Sequence, residues 1–168
     1  MSGPERPGGH IHLRLPVEPQ SVGAAHRSVL GFACALDPIV LHDVRLLVSE
    51  LVTNALRHGG LGPDDTIDLV LDIDAGEVHV EVRDPGPGFV PEAIPDDARP
   101  PEGRGWGLVF LRTIANRWGV DRDDGTRVWF ELAATRDDAR PSGNGRVRRA
   151  RPHGRQSFRP REPGVSTN

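Results

Sequence analysis

One uninterrupted helical stripe constrains this chain most. Leu41, Val44, Leu47, Val48, Leu51, Val52 and Ala55 recur at three- and four-residue spacing, so one face of a single long helix is apolar throughout. Asp37-Pro38 supplies a cap and a first-turn proline, and Gly59-Gly60 stops the helix. Such a face has to be covered by a second layer.

The flanking sequence supplies that layer. Ile11, Leu13, Leu15 and Val17 alternate, which predicts a first strand. Residues 20–36 read as a helix with Val22, Ala25, Val29, Phe32 and Ala33 apolar. Stretches 66–73 and 77–83 predict a hairpin around Asp74-Ala75-Gly76, with Val78, Val80 and Val82 alternating with His79, Glu81 and Arg83. After Gly105, a stripe of Leu108, Val109, Leu111, Ile114 and Ala115 predicts a helix ending at Trp118-Gly119. Stretches 120–123 and 126–132 predict a second hairpin around Asp124-Gly125. The expected fold is α+β: a two-layer α/β sandwich whose mixed, mostly antiparallel sheet is covered by helices on one face.

Three short segments carry the chemistry. On the long helix, Glu50, Asn54 and His58 lie at i, i+4 and i+8 and share a stripe. Asn offers a carbonyl oxygen to a hard cation, and Glu can polarise a hydroxyl. The same spacing also suits a solvated stripe, and His58 suits a charge at a helix C-terminus. Next comes Asp84-Pro85-Gly86-Pro87-Gly88-Phe89, directly after a strand. Its glycines let a ligand approach the backbone, and the Asp84 carboxylate can accept from an exocyclic amine such as that of adenine. An Asx-type turn without a ligand is the alternative. Last, Gly103-Arg104-Gly105-Trp106-Gly107-Leu108 opens a helix, where free N–H groups and the dipole favour phosphate. Arg104 adds a cation to that loop. The P-loop pattern is absent, as is lysine from the whole chain, and the spacing does not fit a Rossmann turn.

The ordered triple resembles the GHKL superfamily of ATP-binding domains, those of gyrase, histidine kinases and heat-shock chaperones. The likeness runs from Glu50 to Leu108 in its motifs and over residues 10–133 in its elements. Within the superfamily the chain looks most like the single-domain anti-sigma-factor kinases of the serine/threonine type. The resemblance implies a Bergerat-type ATP-binding fold with ATP and magnesium as cofactors. It makes Glu50 the general base, with Arg104 as a second catalytic group, and Asn54 the magnesium ligand. Asp84 would hold the adenine amine, and Thr126 would support the base through water. His58, Gly86, Gly88, Gly105, Gly107 and Leu108 would complete the ATP pocket. By position, residues 89–104 correspond to a short lid. The implied activity is transfer of the γ-phosphate to Ser or Thr of an anti-sigma-factor antagonist-like protein. The alternative is a regulatory module that binds ATP and grips a sigma factor without turnover.

Composition sets the remaining boundaries. No apolar run is long enough to span a membrane and no signal-peptide core is present, so a cytoplasmic protein without membrane partners is expected. Cys34 is the lone cysteine, which excludes an internal disulfide, and its apolar surroundings predict a buried side chain. Three parts are expected: a flexible segment 1–9, the ATP-binding domain 10–134, and a tail 135–168. From residue 136 onward nine arginines face three acids, with eight Gly or Pro and few large apolar groups, so the tail is expected to be disordered. It reads as an extension with no role of its own rather than as an arm for nucleic acid. A homodimer is left open.

Overall fold

The computed structural model describes residues 8–88, 106–122 and 124–135. The elements run β1 (Gly9–Pro16), α1 (Gln20–Ser28), a 3-10 turn (Val29–Phe32), α2 (Pro38–His58), β2 (Thr66–Asp74), β3 (Glu77–Asp84), α3 (Trp106–Ile114), β4 (Arg117–Asp121) and β5 (Thr126–Ala133). The expected lid at 89–104, with Arg104 and Gly105, lies outside the described residues, as do the termini.

The sheet has five strands in the order β1-β2-β3-β5-β4, and every pairing is antiparallel. Its inner face is one apolar surface. Ile67, Leu69, Leu71 and Ile73 of β2 lie beside Val78, Val80 and Val82 of β3, and Val128, Phe130 and Leu132 of β5 continue the row. Helix α2 lays its buried stripe against β3 and β5, α1 packs on α2 and β1, and α3 packs on α2. The Asp37 carboxylate accepts from the Ile39 N–H at 3.2 Å, which caps α2 as expected. The β2–β3 turn closes with Ala75 and Gly76 both at positive φ, the geometry that matches strand twist.

Three expectations need correction. The stripe after Gly105 does not stay helical to Trp118: α3 ends at Ile114 and Trp118 belongs to β4. Asn116 makes the switch, because its N–H donates to the Glu131 carbonyl at 3.0 Å and its side-chain oxygen accepts from the Ala133 N–H at 2.9 Å. Cys34 is exposed, not buried. The expected helix over 20–36 gives way at Val29 to a 3-10 turn, whose tighter winding shifts the phase. Phe32, Ala35 and Leu36 turn inward and Cys34 turns out.

The outer face of the sheet is polar and cross-linked. Arg83 and Arg127 stand directly opposite one another, and Glu81 lies between them, bound to both. Glu81 also meets the His79 ring at 2.9 Å, and His79 stacks on Trp129. Gly119 faces Trp129 across β4, where a Cβ would sit 2.8 Å from the indole. Burial pushes the Glu81 carboxyl up, but His79, Arg83 and Arg127 outweigh it and hold it at about 2. The hydrogen bond to Glu81 raises His79 against the opposing effect of burial. The Glu81 contribution is therefore present above its unfolded pKa and lost as pH falls toward about 2. That of His79 is present below its unfolded pKa and lost as pH rises through its raised value. Glu81→Gln is accordingly expected to cost about 1–3 kcal/mol near pH 5.5, and less near pH 2.5 or pH 9. Thermal unfolding at the three pH values checks it; a pH-independent loss would contradict it.

Candidate functional site

At one end of the inner sheet face the apolar rows give way to polar groups. Val82 and Val128 pair across β3 and β5, and the next inward pair in register is Asp84 and Thr126. Both are buried. The C-terminal half of α2 passes over this end. Between them lies a cavity of about 240 Å³ lined by Leu51, Asn54, Ala55, His58, Gly59, Val82, Asp84, Gly88, Leu108, Thr126 and Val128. It is a slot with aliphatic walls and few polar groups, the usual composition of a small-molecule site.

The turn after β3 is held on every side. Asp84 Oδ1 accepts from the Gly86 N–H at 2.8 Å, and the Thr126 hydroxyl donates to the Gly86 carbonyl at 3.0 Å. A Cβ at Gly86 would run into the Gly59 carbonyl oxygen at the end of α2. A Cβ at Gly125, φ +86°, would likewise run into the Asp84 carbonyl oxygen. Gly88 has φ +71° and sits against Thr126. The Asx turn expected as the alternative reading is thus present, and it coexists with the cavity. Among the described residues no donor meets the second oxygen of Asp84. Burial raises the Asp84 carboxyl from its ordinary value, and the Gly86 N–H only partly offsets this. The second oxygen of this acid opens onto the cavity, where it can accept from a donor on a ligand.

Of the residues singled out in the sequence, Asn54, His58, Asp84, Gly88, Leu108 and Thr126 come together on the cavity wall. Gly86 stands behind the turn. Gly107 stands behind Asn54: a Cβ there would be 2.5 Å from the Asn54 side-chain nitrogen and 3.4 Å from the Glu50 Cβ. Glu50 is half-buried one turn before Asn54 and is not part of the cavity lining. Leu51, Ala55, Val82, Val128 and Gly59 also line the slot, although the sequence marked the first four only as core or strand residues and the last as a helix stop. Their signal was adjacency: Leu51 and Ala55 flank Asn54 on the helix, and Val82 precedes Asp84 by two. No group of three or more His, Cys, Asp or Glu able to hold a metal occurs among the described residues.

Residues 15–132 match the histidine kinase-like ATPase domain, and the chain belongs to that family. Its relatives include the anti-sigma F factor of Geobacillus thermodenitrificans, 35% identical over 72% of this chain and 90% of that protein. The anti-sigma F factor of Geobacillus kaustophilus is likewise 35% identical, with the same coverage. The serine-protein kinase RsbW of Listeria monocytogenes is 27% identical over 70% of this chain and 83% of that protein. In solved structures, the RsbU and RsbW domains of a Mycobacterium tuberculosis protein share the fold with a TM-score of 0.55 at 17% identity, over 77% of this chain and 34% of that one.

Proposed function

We propose that this chain is an ATP- and magnesium-binding regulatory kinase of the anti-sigma-factor type, acting on Ser or Thr of an antagonist-like partner protein. The observation that carries the reading is the buried Asp84 with its unpaired oxygen on a slot walled by aliphatic side chains. That acceptor suits the exocyclic amine of adenine, and the aliphatic walls suit the part of its ring that enters the slot. The slot is below the usual range of about 300–1,000 Å³ for whole-ligand pockets, so it takes the amine edge of the base and leaves the outer part of the ring outside with the ribose and phosphates. The ribose and phosphates would run toward Asn54 and the start of α3, where helix N–H groups favour anions. Magnesium commonly uses one or two protein oxygens and completes its shell with phosphate and water, so the single Asn54 oxygen is a sufficient protein contribution.

When bound, the nucleotide supplies the phosphoryl group and ADP as the leaving group. Glu50 would accept the proton of the attacking hydroxyl, and Asn54 would hold the metal end. Arg104, two residues before α3 in the sequence, would offset charge on the phosphates. Such transfer rests chiefly on positioning and charge neutralisation. A second reading is a binding module that grips a sigma factor with ATP bound but not spent; it is favoured by the place of Glu50 off the cavity wall. Incubation with labelled ATP and candidate antagonist proteins separates the two. Labelled Ser or Thr in a partner supports the kinase, whereas tight sigma-factor binding without label supports the module.

Nucleotide binding has its own test. Asp84→Asn is expected to weaken ATP by about 1–3 kcal/mol, the loss for a hydrogen bond to a charged group. The same change should raise the melting temperature of the nucleotide-free protein near neutral pH. Because the folded Asp84 pKa is raised, its carboxylate opposes folding above that pKa, and the penalty fades as pH falls toward the unfolded value. Calorimetry and thermal unfolding check both; ATP affinity unchanged in the variant would remove Asp84 from the site.

A further inference from the structure

Arg122 follows β4 and stands at the rim of the slot, outside all three sequence motifs. A Cβ at Gly88 would be 3.0 Å from its Cδ and 3.2 Å from its Cγ, so the stem of Arg122 lies along the turn that forms the cavity wall. The same Cβ would be 2.7 Å from Thr126 Oγ1, which places that stem on the Asp84–Thr126 side of the slot and away from Asn54 and Gly107. Arg122 is exposed, and among the described residues its guanidinium has no ion pair or hydrogen bond. The other arginines of β4 and β5 behave differently: Arg117 is bound to Glu131, and Arg127 to Glu81 and Asp121.

We infer that Arg122 is a nucleobase-binding residue, whose guanidinium covers the heterocycle that projects from the slot. This rests on the nucleotide reading above. Three things favour the base over the phosphates. The stem is fixed at the Asp84 end. A slot of about 240 Å³ leaves part of a nucleotide outside it. A planar guanidinium stacks on aromatic faces better than an ammonium does. A cation over a partly exposed ring strengthens binding a few fold, and more when water is excluded.

Titration calorimetry with adenosine, ADP and ATP tests this on the full chain, by displacement where binding is weak. Arg122→Ala is expected to weaken all three ligands by about three- to tenfold and by the same factor. Arg122→Lys should recover only part of the loss, and raising salt should leave the ratio to wild type unchanged. Arg14→Ala, on β1 beside Asp68, serves as the control for net charge. Equal affinities of wild type and Arg122→Ala overturn the inference. So does a loss that grows from adenosine to ATP, which would make Arg122 a phosphate contact, or a loss matched by Arg14→Ala. Wild-type protein that binds no nucleotide would instead remove the reading on which the inference rests.

Discussion

Glu50→Gln is expected to cut phosphoryl transfer by about a hundred- to ten-thousandfold, the range attributed to a positioned general base, while ATP affinity stays within a few fold. The geometry separates the two effects. Glu50 stands one helical turn from Asn54 and outside the cavity lining, and its Cβ faces Gly107. Its carboxylate can therefore be neutralised without changing any residue that lines the slot. Asn54 does line the slot, so Asn54→Ala should lose both magnesium-dependent ATP binding and transfer. Transfer assays with labelled ATP, run beside calorimetry on both variants, read the difference. Full transfer by Glu50→Gln would assign the proton to another group.

Gly86→Val should have a large effect on binding. The added atoms would meet the Gly59 carbonyl oxygen and would lie 2.7 Å or less from Asp84 Oδ1. Neither neighbour is a flexible side-chain end, since one is backbone at the end of α2 and the other is held by the Gly86 N–H. Relief requires that the turn move away from the helix, which breaks that hydrogen bond and shifts the Asp84 carboxylate. Overpacking at about 1–3 kcal/mol and a lost charged hydrogen bond at about 1.5–3 kcal/mol have to be met when ATP draws the turn back into place, which predicts a loss of affinity of about seventyfold or more. The core rows lie elsewhere, so cooperative unfolding should persist at a lower melting temperature. Affinity close to wild type would show that the turn tolerates displacement.

The sheet and the long helix were legible because their patterns are local. The period of two in Val78, Val80 and Val82 and the bounded stripe of α2 each fix an element without knowledge of its neighbours. The end of α3 was not legible. Leu111, Ile114 and Ala115 continue with Trp118 at helical spacing, and only the bonds of Asn116 to β5 break the run. Cys34 escaped for a related reason, because the apolar residues 29, 32 and 33 fit an α-helix and a 3-10 turn alike. At the site, Asn54 and Asp84 could be read from motif chemistry, and Thr126 from the family resemblance alone. Their meeting could not, since it depends on the register that sets Asp84 opposite Thr126. The same holds for Arg122, which no motif contains and which only the close approach to Gly88 reveals.

That register has a consequence for how the chain comes into being. A ribosome delivers α2, β2 and β3 first, so Asn54 and Asp84 emerge early and the β2–β3 hairpin can close locally. Thr126 and Val128 belong to β5, which must return past α3 and β4 to insert between β3 and β4. Until β5 has emerged and inserted, the nascent chain has the acid of the slot without its opposite wall. The binding site is thus among the last features that vectorial synthesis can assemble, and a chain released before β5 would carry all three motifs without the Thr126 and Val128 wall that completes the cavity.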